Sequence, residues 1–360
     1  MDVLTDKDVE RLLEWYRQNK RSLPWRDTGD PYDVLLSEIM LQQTRVEAVI
    51  SSFQRFRKEV PDIASLAKLD EERLLRLWEG LGYYSRARNL KKCAQQITEL
   101  HDGKIPKDQE KLLSLTGIGP YSAGAIASIA YDLPYPAIDG NVLRVMARYL
   151  GIREDIRLEE VKRKITDVVK RHYDPSLSRE EGHYRDLSQA FMELGALVCL
   201  PNGKPDCEHC PFSENCYAHA QSLTDEIPSR KKGKDRKITE RTILIVLEKD
   251  SFLVRRRPSK GLLAGMYEFP GLERKMDEKE VKEYLKHRGM DVHQVKELED
   301  SQHIFSHMEW KMKAFEIKVK NRNFKLKEEE MWADRMQMQS LALPSAFHTY
   351  IDHYDLRETQ

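Results

Sequence analysis

Four of the five cysteines fall close together, as Cys199, Cys207, Cys210 and Cys216, in the pattern C-x7-C-x2-C-x5-C. The start MDVLTDKDVER is charged throughout and offers no export signal, so clustered thiols point to a bound metal and not to disulfides. Zinc sites more often use two C-x2-C pairs. One such pair with uneven spacers suits the corners of a cubane cluster, which favours iron–sulfur over zinc. Cys93 stands apart in KKCAQQI and reads as a small core residue. A second group is LTGIGPYSAGA, residues 115–125, where Gly117 and Gly119 permit a tight turn between two helices. Backbone N–H groups at such a turn can grip a phosphate without a lysine, although a lone G-x-G is usually only a turn.

Two carboxylates complete the set. Glu38 lies in VLLSEIML, where a helix would surround it with Val34, Leu35, Leu41 and Gln42. Helical glutamates are usually solvated. One on an apolar face has its pKa raised and can hold a proton at neutral pH, as a general acid must. Asp139 lies in AIDGNVLRV, residues 137–145, just before Gly-Asn, where an aspartate commonly caps a helix or shapes a turn.

These residues sit on two kinds of chain. Up to about residue 220 apolar residues recur every three or four positions, as in VERLLEWYRQ, VEAVISSFQRF, EERLLRLWEGL and LEEVKRKITDVVKRHY, which predicts a bundle of many helices. After PSRKKGKDRK, residues 228–237, the texture changes to strands: TILIVL, SFLVRRR and the alternating HMEWKMKAFEIKVK. The helix DEKEVKEYLKHRG sits among them, so the second part is α+β. In HMEWKMKAFEIKVK the apolar phase passes from Met308, Trp310 and Met312 to Phe315, Ile317 and Val319, which suggests a bulge or turn near Lys313. The expected organisation is a helical domain over 1–224 containing the cysteine loop 199–216, a basic linker over 225–237 and an α+β domain over 238–360.

The chain has 360 residues, with 60 basic and 60 acidic side chains. The zero sum conceals a division, since residues 1–227 hold 32 basic and 37 acidic groups and residues 228–360 hold 28 and 23. The parts carry −5 and +5. The basic run is either a solvated tether or a contact for phosphates. With a mean hydropathy of −0.66 and no aliphatic run longer than Ile243 to Leu247, a membrane protein is excluded and a cytoplasmic one expected.

The hairpin, the aspartate some twenty residues after it and the four-cysteine loop together resemble the endonuclease III superfamily of DNA glycosylases, which has a helix-hairpin-helix fold. SEIMLQQT (37–44), LGYYSRARNL (81–90) and FSH (305–307) narrow the resemblance to its adenine-specific mismatch branch, the MutY family. It runs from LPWR at 23 into the C-terminal domain, and motifs in separate segments agree. It implies a monofunctional, monomeric enzyme of base excision repair, acting on double-stranded DNA in a bacterial nucleoid, that hydrolyses the N-glycosidic bond of adenine mispaired with 8-oxoguanine or guanine.

By this resemblance Glu38 protonates the adenine, and Asp139 stabilises the sugar oxocarbenium ion or traps it, with Asn141 as polar support. Tyr121 stands where strand-cleaving relatives carry a Schiff-base lysine, so lyase activity should be weak or absent. Trp25 and Arg26 would line the adenine pocket. Gln43, Thr44, Leu81 and Tyr83 would surround the opposite base, with Tyr83 as a wedge. The four cysteines would hold a 4Fe-4S cluster, although the spacer LPNGKPD has seven residues where the family generally has six.

The C-terminal domain resembles the MutT-like (Nudix-like) domain that this family uses to recognise 8-oxoguanine, with RRRPSKGLLAGMYEFPG as its first part and Phe305, Ser306 and His307 as its lesion-contacting loop. A working pyrophosphatase would need G-x5-E-x7-R-E-x-x-E-E, and from Gly271 its required positions hold Asp277, Leu285, Lys286, Gly289 and Met290, so the metal-binding carboxylates are missing. A reader without hydrolase activity is therefore expected. The rival readings are a bifunctional glycosylase for damaged pyrimidines, a non-catalytic iron–sulfur DNA-binding protein and a nucleotide pyrophosphatase with a helical appendage.

Overall fold

The computed structural model describes residues 3–177, 179–229 and 235–356. Of the basic run Arg230 to Lys237, residues 230–234 lie outside the described residues. The chain divides into two compact units, Met1–Lys68 with Asn89–Lys232 and Leu69–Arg88 with Gly233–Gln360.

The first unit is helical, and several of its helices begin at short polar side chains that cap them. Thr5 caps Asp6–Asn19, and Asp30 caps Pro31–Leu41 with proline at its first position. Asp139 caps Gly140–Leu150, accepting a hydrogen bond from the backbone N–H of Val142 at 2.8 Å. That helix packs with Asp6–Asn19 and His183–Leu197 around a core including Leu12, Tyr16, Met146, Tyr149, Phe191 and Leu194. The Gly-x-Gly segment links two short helices, Gln109–Ser114 and Pro120–Ala125. Gly117 adopts φ +83°, and a Cβ there would come within 2.8 Å of the Asn89 side chain, so this turn requires glycine twice over.

The second unit contains a mixed sheet among the described residues. Its strands are β1 (Lys237–Glu248), β2 (Ser251–Arg256), β3 (Tyr267–Glu268), β4 (Gly271–Leu272), β5 (Val292–Glu297), β6 (Ser301–Ile304), β7 (Met308–Val319) and β8 (Glu330–Asp334). The main path runs β3-β2-β1-β7-β5. The pairing of β1 with β7 is parallel and the others are antiparallel. The expected helix among the strands is Glu278–His287, opened by a capping box between Asp277 and Glu280.

The bulge expected near Lys313 is not formed. The β1·β7 ladder keeps one register from Lys237↔Met308 to Leu247↔Lys318. Trp310, Met312 and Ala314 lie in one core, whereas Phe315, Ile317 and Val319 lie in another with Val281 and Leu285. Even and odd positions of a regular strand face opposite sides, so a sheet buried on both faces imitates a phase slip in sequence. No helix among the described residues is long and apolar enough to cross a membrane.

Candidate active site

A cavity of about 340 Å³ in the first unit gathers residues from four distant stretches of chain. Trp25, Arg26, Glu38, Gln43, Thr44, Tyr121, Asp139 and Asn141 all line it. Glu38 comes from the largely apolar helix Pro31–Leu41. It is 6% exposed, and its Oε2 accepts a hydrogen bond from the Tyr121 hydroxyl. Burial raises its pKa, the Tyr121 bond pulls it down, and the nearby Asp139 raises it again. The result is about 7. A carboxyl poised there can give up a proton at neutral pH.

The capping role of Asp139 and its place in the cavity are compatible. While Oδ1 caps the helix, Oδ2 accepts from Asn141 Nδ2 at 2.7 Å. Burial moves the Asp139 pKa upward, against the pull of the Val142 and Asn141 hydrogen bonds and of Arg144. Asn141 Oδ1 in turn accepts from Arg144 Nη2 at 2.9 Å, and Arg144 also donates to the carbonyls of Gly195 and Cys199. One helix therefore carries a hydrogen-bonded chain from Asp139 to the cysteine loop. The next turn adds Arg148, whose Nη1 lies 3.2 Å from Cys199 Sγ.

The opposite wall was not legible in the motifs. It comes from His183–Leu197 and carries Gln189, Met192 and Glu193. Glu193 accepts from Arg21 Nε at 2.8 Å and Nη2 at 3.1 Å and from Arg26 Nη2 at 3.0 Å. Gln189 Oε1 accepts from Arg26 Nε at 3.1 Å. Burial alone would raise the Glu193 pKa, but hydrogen bonds from Arg21 and Arg26 outweigh it and bring it to about 2. Glu193 in FMELGAL showed the same signal as Glu38, a lone carboxylate in an apolar helix.

Other expected residues lie off this cavity. Leu81 is buried, and Tyr83 is exposed with the Arg86 guanidinium 5.6 Å from its ring centroid. Gln43 and Tyr83, expected beside the same opposite base, share a left-handed backbone, at φ 58° and 46°. Non-glycine residues take that conformation at a cost and tend to do so where function demands it. In the second unit Phe305 packs edge-on against His303 and Trp310, with ring centroids 4.6 and 4.9 Å away. Ser306 and His307 are exposed beside it. Leu285 and Met290, at the arginine position and the last carboxylate position of the pyrophosphatase pattern, are buried in the core.

Cys199, Cys207, Cys210 and Cys216 all line one small pocket of about 20 Å³. Gly203, at φ +77°, turns the seven-residue spacer between the first two. Burial pushes the Cys210 thiol up to about 12, and burial followed by the neighbouring Cys199 also raises Cys207 and Cys216. Thiols this crowded and buried need a cation to persist as thiolates. Among the described residues no group of three or more His, Cys, Asp or Glu side chains is placed to hold a metal ion. The four thiols around one pocket are a donor set of the type that iron–sulfur clusters use. Cys93 is buried in the core, away from this group.

Residues 36–171 match the HhH-GPD superfamily of base excision DNA repair proteins, and residues 242–353 match the NUDIX domain. The chain is 25% identical to a thermostable thymine-DNA glycosylase of known structure, with a TM-score of 0.52 over 59% of this chain and 95% of that one. It is 29% identical to an adenine DNA glycosylase of Buchnera aphidicola, covering 95% of this chain and 96% of that protein. An adenine DNA glycosylase of Schizosaccharomyces pombe is 33% identical over 334 residues, covering 75% of this chain and 71% of that protein. The chain belongs to the adenine DNA glycosylase family.

Proposed function

We propose that this enzyme excises adenine mispaired with 8-oxoguanine or guanine in double-stranded DNA, acting as a monofunctional glycosylase in the bacterial nucleoid and working as a monomer. The observation that carries the reading is Glu38, whose pKa burial raises to about 7 against the pull of the Tyr121 hydrogen bond, in the cavity that also presents Asp139. An extruded adenine enters between Trp25 and Arg26. Glu38 passes its proton to an imidazole nitrogen of the base, the glycosidic bond breaks towards that base, and adenine leaves neutral. Asp139, as a carboxylate, meets the positive charge left on the sugar, with Asn141 fixing its orientation. Water then adds at the anomeric carbon. Tyr121 has no amine to form a Schiff base, so the strand is left uncut.

Gln43, Thr44, Leu81 and Tyr83 surround the opposite base, and the turn at Gly117 and Gly119 holds a backbone phosphate. The C-terminal unit reads 8-oxoguanine through Phe305, Ser306 and His307 without hydrolysing nucleotides. Cys199, Cys207, Cys210 and Cys216 would hold a 4Fe-4S cluster, whose contribution is to fix the loop. Absorbance in the iron–sulfur charge-transfer region, against zinc content, tests that assignment.

Single-turnover release of adenine from duplexes carrying A opposite 8-oxoguanine tests the central claim. Glu38→Gln should lower the rate by about 10²–10⁴-fold. Equal rates in the two proteins would remove Glu38 from the mechanism. Replacing Ser306 and His307 with alanine should reduce the preference for 8-oxoguanine over guanine, and an unchanged preference would reject the reading role of that loop.

A further inference from the structure

The C-terminal unit buries a charged group for which base excision has no use. Arg241 on β1 and Glu268 on β3 are each 1% exposed. Glu268 takes short hydrogen bonds from Arg255 Nε at 2.8 Å and Arg257 Nη1 at 2.7 Å. Arg241 Nη2 stays 3.7 Å from the same carboxylate. The Arg241 guanidinium instead lies over Trp310, 4.0 Å from the ring centroid, and its buried Nε and Nη1 have no hydrogen-bond partner. Three guanidiniums thus share one carboxylate. A buried charge with unmet donors is costly, and an aromatic face returns only part of that cost. Burial lowers the Arg241 pKa, Glu268 raises it, and Arg257 and Arg255 lower it again.

Solvent space reaches this group from two sides. Arg241 lines a cavity of about 690 Å³ together with Arg255, Arg257 and Glu268. It also lines a second of about 490 Å³ with Lys275, Lys311 and Lys313. Besides Glu268, the first cavity is lined by Glu273, Glu328, Glu329 and Glu330, and the second by Glu240 and Asp300. Glu330 is buried but neutralised by Arg288 at 2.8 Å; the other five are exposed and screened by water, with Glu273 still acting on Arg241.

We propose that Arg241 anchors a phosphoryl-binding site within the C-terminal unit. The unmet N–H groups of Arg241 hydrogen-bond the oxyanion, and the excess of two positive charges balances a phosphate dianion better than it would a carboxylate. The phosphoryl group can belong to a free phosphate monoester or to the DNA backbone. The site is independent of the excision chemistry, so its failure leaves the reading of Glu38 intact.

Calorimetric titration of the full chain with inorganic phosphate, at constant ionic strength, tests the site. One saturable site is expected, with binding weakened at least tenfold, a loss of about 1.4 kcal/mol, in Arg241→Met. If that variant does not fold, Arg257→Met takes its place with the same expected loss. Displacement of the bound phosphate by a lesion-free duplex would assign the site to the DNA backbone, and its retention would assign it to a free monoester. Absence of saturable binding by the unmodified chain, or undiminished binding in the folded variants, would overturn the proposal.

Discussion

Glu38 and Glu193 line the same cavity and are 6% and 1% exposed, yet one is held near 7 and the other near 2. Burial makes ionisation costly at both. The partners decide the outcome. Glu38 faces a neutral phenol and the like charge of Asp139, whereas Glu193 faces two guanidiniums and the backbone N–H of Arg21. One end of the cavity therefore stores a proton, and the other fixes a pair of cations against the pocket wall. Carboxylates whose surroundings pull their pKa values apart in this way divide into reacting and supporting roles.

The comparison is broken most severely by removing the supporting carboxylate. Glu193→Ala should cost about 3–5 kcal/mol in urea unfolding at pH 7, because Arg26 and much of Arg21 would remain buried without their counter-charge. A loss below about 1 kcal/mol would mean that solvent already shares the load. The pH dependence follows from the depressed pKa. The stabilisation by Glu193 is present above its unfolded value near 4.5 and is lost as pH falls towards 2, an effect of about 3 kcal/mol.

Glu38 should behave in the opposite sense. Its folded pKa lies above the unfolded value, so its favourable contribution is complete below about pH 4.5 and is lost as pH rises through 7. Glu38→Gln keeps an acceptor for Tyr121 and removes the ionisation. The variant should therefore be more stable than the native chain at pH 8 by about 3 kcal/mol, and this gain should shrink towards zero near pH 4.5. Thermal unfolding at the two pH values measures it. A gain that does not change with pH would locate the effect in packing and not in the proton.

Much of this arrangement was legible because local patterns and tertiary roles coincide. Glu38 sits in an apolar helix, the hairpin needs Gly117, and the cysteines are close in sequence. Asp139 was readable as a cap or as a site residue, and the structure makes it a cap at the cavity wall. The Glu193 wall was missed because a lone carboxylate gains meaning only when Arg21 and Arg26, more than 160 residues away, fold against it. Neither motif nor spacing encodes that meeting. The strand β7 failed differently. A sheet with two buried faces has apolar residues at both parities, and periodicity alone cannot separate that from a bulge. The six-residue helices Arg335–Ser340 and His348–His353 are too short to show a period at all.

The mildest way to sharpen the contrast is to alter the donor at Glu38 alone. The Tyr121 hydroxyl bonds more strongly to the ionised carboxylate than to the acid, and so holds the Glu38 pKa lower than burial and Asp139 would set it. Tyr121→Phe removes that preference. In single-turnover rates across pH 5 to 9, the descending limb that reports loss of the Glu38 proton should move upward by about one unit or less, the worth of a single hydrogen bond to a charge. The rate below pH 6 should change little, because Glu38 is already protonated there. A downward shift would require that Tyr121 favours the acid form, and the hydroxyl would then be accepting the carboxyl proton instead of donating its own.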